Sequence, residues 1–75
     1  MSFGGLLRSH RRTAGLTLEG LAERSGLTAR AVSDMERGRT MRPYPRSLRM
    51  LADALRLTGK TREEFFTAVS GIGPA

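Results

Sequence analysis

Apolar residues return along this chain with the period of an α-helix in five separate stretches. Phe3, Leu6, Leu7, His10 and Ala14 fall at i, i+3, i+4, i+7 and i+11, which is one helix face. Gly15 ends that stretch. Leu16-Thr17 opens the next: Thr17 caps it, and Leu16 and Leu21 stand at the N′ and N4 positions of a hydrophobic staple. Leu18, Leu21 and Ala22 carry its apolar side, and Ser25-Gly26 stops it. The same start then repeats. Leu27-Thr28 opens a third helix with Thr28 as cap and Leu27 and Val32 as staple. Gly26, between the two, suits a left-handed position that glycine adopts at little cost. Val32 and Met35 face inward, and the third helix ends at Arg37-Gly38.

Residues 38–46, GRTMRPYPR, hold two prolines and a glycine and read as a loop. Ser47 is the expected cap of a fourth helix with Leu48, Leu51, Ala52 and Leu55 as its stripe, broken at Gly59. Thr61-Arg62-Glu63-Glu64 has the form of a capping box and opens a last helix carrying Phe65, Phe66 and Val69. The predicted elements are helices at 3–14, 18–25, 29–37, 48–57 and 62–70. No strand alternation and no repeat interrupts them. The fold class is all-α: one compact five-helix domain over 1–70, with 71–75, GIGPA, as a flexible tail or the start of a linker.

Composition adds a partner and removes several chemistries. At 75 residues the chain makes one small domain, which buries only roughly 60% of its unfolded surface. It has no cysteine, so disulfides and Cys-based zinc sites are excluded, and a reducing cytoplasm is the expected setting. No apolar run approaches the ~20 residues of a membrane span, and the N-terminus lacks the pattern of a signal peptide. Thirteen basic residues against seven acidic ones give a formal charge of +6, which points to a polyanionic partner. All the basic residues but Lys60 are arginine, whose fork matches phosphates and guanine edges; a base-rich genome is an equally simple source of that excess.

Two short helices joined by a glycine turn, the second with polar residues outward, form a helix-turn-helix. Several features coincide here: paired threonine caps, Ala22 and Gly26 at the crossing, Val32 and Met35 inward, and the ending Glu36-Arg37-Gly38. On these features residues 3–69 resemble the DNA-binding domain of the phage repressor and Cro class, the lambda repressor-like or XRE family of bacterial regulators. The stretch GLTLEGLAERSGLTARAVSDMERGR is similar to the family's core pattern without gaps, and GRTMRP to the basic loop that follows it in some phage repressors. The resemblance implies double-stranded DNA as partner and transcriptional regulation as role. The third helix, 28–37, would lie in the major groove while the second crosses the backbone.

The resemblance also assigns residues. It implies base contacts from Ala29, Arg30, Ser33 and Asp34, and phosphate contacts from Thr17 and Thr28. Arg11 and Glu36 match an internal salt bridge of the family. Where relatives carry a phosphate-binding glutamine, this chain has Leu18. Arg30 suits a bidentate bond to guanine, and Ala29 either packs on a thymine methyl or acts as a spacer. Asp34 is the unusual member, because an acid near phosphates is repelled. Four residues from Arg30, it shares a helix face with it. It either aims the guanidinium, accepts from a cytosine amino group, or is a surface charge that tilts away.

Arg37, Arg39, Arg42, Arg46 and Arg49 lie within thirteen residues that contain no acid. This places Arg37, Arg39, Thr40 and Arg42 as candidate phosphate contacts. Pro43 and Pro45 are expected to stiffen the loop, and Tyr44 between them either packs on the domain or touches the DNA backbone. His10 is the chain's one histidine, and no cluster of carboxylates accompanies it, so no metal site, cofactor or catalytic constellation is expected. Phe65, Phe66, Val69 and Ile72 are more apolar surface than one short helix needs, which makes the last helix the candidate homodimer interface. The chain also suits the N-terminal domain of a larger regulator. The rival reading is a protein-interaction module of the same fold, binding a sigma factor, a polymerase subunit or an antitoxin-type partner.

Overall fold

A computed structural model describes residues 2–39 and 43–70. Five helices follow one another: α1 (Phe3–Thr13), α2 (Leu18–Ser25), α3 (Ala29–Glu36), α4 (Pro45–Ala54) and α5 (Gly59–Ser70). Among the described residues no strand occurs, and no helix is long and apolar enough to cross a membrane. α3 packs on α1 and α2, α4 on α2 and α5, and α5 returns to α1. The core between them is closed by Leu7, Leu21, Val32, Leu51 and Phe65, all fully buried. It is small, and aromatic contacts extend it: Phe65 lies 5.2 Å from Phe3, 6.1 Å from His10 and 5.9 Å from Phe66 between ring centroids.

The second and third helices begin where their threonine caps predict, and Ser2 caps the first. The side chains of Ser2, Thr17 and Thr28 accept from the backbone N–H groups of Gly5, Gly20 and Ala31 at 3.0–3.1 Å. Each satisfies one of the donors that a helix start leaves without an internal partner. The ends of α1 and α3 are closed in a common way. Gly15 and Gly38 take left-handed φ angles of 72° and 76°. The next residue folds back: Leu16 N–H donates to Arg11 O at 3.1 Å, and Arg39 N–H to Asp34 O at 2.8 Å.

The last two helices start earlier than expected, and both corrections have local causes. α4 begins at Pro45, not after Ser47. Proline has no N–H to leave unsatisfied at the first helical position, and it holds Tyr44 before it in extended backbone. Pro45 therefore nucleates the helix instead of stiffening the loop. α4 also stops at Ala54, before the expected break at Gly59: Arg56 already takes a left-handed φ of 56°. Leu57 N–H bonds back to Ala52 O at 2.9 Å and buries the Leu57 side chain. The chain is thus reversed within three residues, α5 opens at Gly59, and Thr61 lies inside it instead of capping it. An ion pair not anticipated from sequence, Arg62 Nη1 to Asp53 Oδ1 at 2.9 Å, ties the two helices, and the same guanidinium sits 5.4 Å from the Phe66 ring.

Burial removes Phe65 from the expected dimer face. Phe65 has no exposed surface and is the largest fully buried side chain, so it is unavailable to a second copy. Phe66 and Val69 are half-buried and packed against the same core. Ile72 and the tail 71–75 lie outside the described residues.

Candidate nucleic-acid interface

Apolar spacing decides which side of α3 is presented. Val32 and Met35 are buried, while Arg30, three residues from neither, is exposed. Ser33 and Asp34 are half-buried, and Ala29 is half-buried and packed against the core. Of the four expected base contacts, Arg30 is therefore the most freely presented, and Ala29 spends part of its surface on packing. Among the described residues Arg30 and Asp34 form no ion pair with each other or with a third group. The guanidinium is left exposed and unpaired, and the carboxylate sits one turn further along on the same face.

The caps that start α2 and α3 are also candidate phosphate contacts. Thr17 Oγ1 and Thr28 Oγ1 each accept one backbone N–H, and both residues are exposed. A hydroxyl that accepts still has its own proton to donate, so capping a helix and bonding a phosphate oxygen are compatible. Ser25, which sequence reading treated only as a helix end, closes the turn between them. Its hydroxyl donates to Ala22 O at 3.2 Å and accepts from Leu27 N–H at 3.3 Å. Leu18, at the first position of α2, is half-buried and packed against the core. Arg37 and Arg39 are exposed directly beyond α3. Thr40 and Arg42, named with them, lie outside the described residues.

A charged joint fixes α3 from behind. The Glu36 side chain is only 2% exposed and takes two bonds from Arg11, Nε to Oε2 at 2.6 Å and Nη2 to Oε1 at 3.1 Å. The third nitrogen, Nη1, donates to Leu16 O at 2.9 Å, so one guanidinium joins α1, the α1–α2 turn and α3. The hydrogen bond to Glu36 raises the Arg11 pKa above its ordinary value, against a desolvation cost. Arg8 adds a longer contact, Nε to Glu36 Oε1 at 3.4 Å, from a half-exposed position. Sequence reading named the first partner and missed the second, although Arg8 lies one helical turn before Arg11.

Gly4 was also missed. It sits in the first turn of α1, beneath the end of α3, and a Cβ added there would overlap the backbone carbonyl oxygen of Glu36 and stand 2.8 Å from that of Met35. No left-handed φ requires a glycine at this position; the space does. The signal was a glycine facing the same way as Arg8 and Arg11, at i, i+4 and i+7.

Capped helices around a glycine turn, with a third helix exposed on one side and locked on the other, define a helix-turn-helix DNA-binding domain of the repressor-like type. The family model described as "Helix-turn-helix domain" matches residues 2–65, and the chain belongs to that family. It is similar to the HTH-type transcriptional repressor RghR of Bacillus subtilis (strain 168), 39% identical over 56 residues. That match covers 75% of this chain and 42% of the relative, so the chain spans less than half of that protein's length. No solved structure matches.

Proposed function

We propose that the domain reads double-stranded DNA in a sequence-specific way and serves transcriptional regulation, with α3 as the recognition helix in the major groove. The observation that carries this reading is that the exposed side of α3 runs into Arg37 and Arg39, both exposed, where a sequence stretch without acid, 37–49, begins. Arginine contacts to the phosphates supply affinity, while Arg30, Ser33 and Asp34 supply choice of sequence. Thr17 and Thr28 set the register by donating to phosphates from the starts of α2 and α3. The Bacillus subtilis relative, a transcriptional repressor by name, supports the regulatory part.

The test is a gel-shift series over salt concentration. Binding should weaken steeply as salt rises, and Arg39→Ala should weaken binding to every duplex alike while lowering the slope of log affinity on log salt by about one unit. A loss confined to one base position would contradict a phosphate role, and absence of salt-dependent binding would contradict the function. The protein-interaction alternative draws on Leu18 in place of a polar anchor and on Asp34 on the reading helix; Leu18 is half-buried against the core, so little of it is free for a partner.

Tyr44 extends the same surface. It is 78% exposed, the one large apolar side chain in the described structure left in solvent, and it caps no helix donor. Of its two sequence-level roles, packing on the domain does not fit that exposure, and we assign it to the DNA backbone. The chain has one tyrosine and no tryptophan, so intrinsic emission reports Tyr44 alone. It is expected to fall on titration with DNA and to recover at high salt. Emission unchanged through a saturating titration would place Tyr44 outside the complex.

A further inference from the structure

We infer that the Gly4–Arg8 edge of α1 is a specificity-determining element, which positions the recognition helix without touching DNA; this rests on the reading of α3 as the base-reading helix. The two ends of α3 are held differently. Its N-terminal end is defined by the Thr28 cap and the turn from α2. Its C-terminal end is seated on α1 at three places along one face: the bare Cα of Gly4 against the carbonyls of Met35 and Glu36, and the guanidinium groups of Arg8 and Arg11 on the Glu36 carboxylate. Glycine is among the poorest helix formers, and its backbone here is ordinary helix. Its presence is explained by contact: no other residue lets the two backbones come this close.

Base readout is sensitive to this seat. The bulk of an added Cβ would fall on backbone carbonyls of a helix already closed by its own hydrogen bonds, so no flexible side chain can absorb it. The end of α3 must shift or tilt away from α1. Arg30 lies six residues along α3 from Glu36, about 9 Å at helical rise, so a tilt at one end displaces the base-reading side chain at the other. Bidentate contacts to a base tolerate only about 0.5 Å of misplacement, whereas contacts between mobile arginines and phosphates tolerate more. Sequence choice should therefore suffer while general affinity persists.

The experiment selects a preferred site for the wild-type chain, then measures the ratio of affinities for that site and for an unrelated duplex. In Gly4→Ala the ratio should fall about tenfold or more, with affinity for the unrelated duplex within about twofold. Leu55→Ala controls for stability. It removes a buried side chain at the end of α4, away from the α1–α3 contact, and should leave the ratio unchanged below its melting temperature. Arg8→Gln loosens the same seat without steric overlap and keeps the proposal testable should Gly4→Ala not fold; a fall of about threefold is expected, read as the same ratio. An unchanged ratio in a folded Gly4→Ala or in Arg8→Gln, or an equal fall in Leu55→Ala, overturns the inference. A wild-type chain that selects no sequence overturns the DNA-reading proposal itself and this inference with it.

Discussion

Arg11→Ala is expected to cost about 3 kcal/mol or more of folding stability, because it leaves the Glu36 carboxylate buried with only the longer Arg8 contact. For a domain of this size about 1 kcal/mol moves the melting temperature by 4–8 °C, so a fall above about 12 °C should be seen in a thermal melt. Glu36→Ala should be milder. Arg11 keeps its bond to Leu16 O, and its side chain retains 13% exposure to water. The double variant should lose less than the sum of the two, since no uncompensated charge remains. Additive losses in the double-mutant cycle would mean that the pair contributes no coupling. The joint has a functional side as well. Arg11 holds α1, the turn leading into α2, and the end of α3 together, so its loss should abolish DNA binding at temperatures where the wild type still binds.

Arg30→Ala should cost about 1–3 kcal/mol on the preferred site and relax preference at one guanine. The structure sharpens what Asp34 is expected to do. The two side chains are unpaired in the free domain, with Arg30 exposed and Asp34 half-buried a turn further along. An exposed i,i+4 pair is worth only ~0.5 kcal/mol, too little to hold a guanidinium in one geometry against water. In the groove both groups lose water, and a carboxylate that accepts from the arginine then favours the geometry that meets guanine O6 and N7. Asp34→Ala should therefore lose selectivity at that same base pair while raising affinity for unrelated DNA, because a negative charge has left the phosphate field. In the Arg30→Ala background it should change selectivity little. Binding-site profiles of the four variants check this: an effect at a different base pair would make Asp34 a direct reader of cytosine, and no effect would make it a surface charge.

Legibility of the elements followed the range of the interactions that make them. α2 and α3 could be placed to within a residue because their determinants are local: a threonine cap bonds three residues on, a staple spans five, and a glycine supplies its own left-handed φ. The starts of α4 and α5 misled because two local signals competed. Ser47 and Thr61 were each acceptable caps, but Pro45 and the turn at Arg56–Leu57 lie upstream and set the helix first.

The sequence by itself determined the helical class, the turn between α2 and α3, the side of α3 that carries Arg30, and the arginine segment that follows it. All of these rest on periodicity, capping and charge within a few residues of one another. Only the tertiary structure decided which apolar side chains were spent on the core. Phe65 and Phe66 are neighbours with equal claims in sequence, yet the first is fully buried and the second half-exposed, because α5 packs across α1 and α4 at one angle. It also decided that Arg8 joins Arg11 on one carboxylate and that Gly4 must be a glycine. Both depend on how closely α1 approaches the end of α3, a distance set by side chains more than twenty residues apart in the chain.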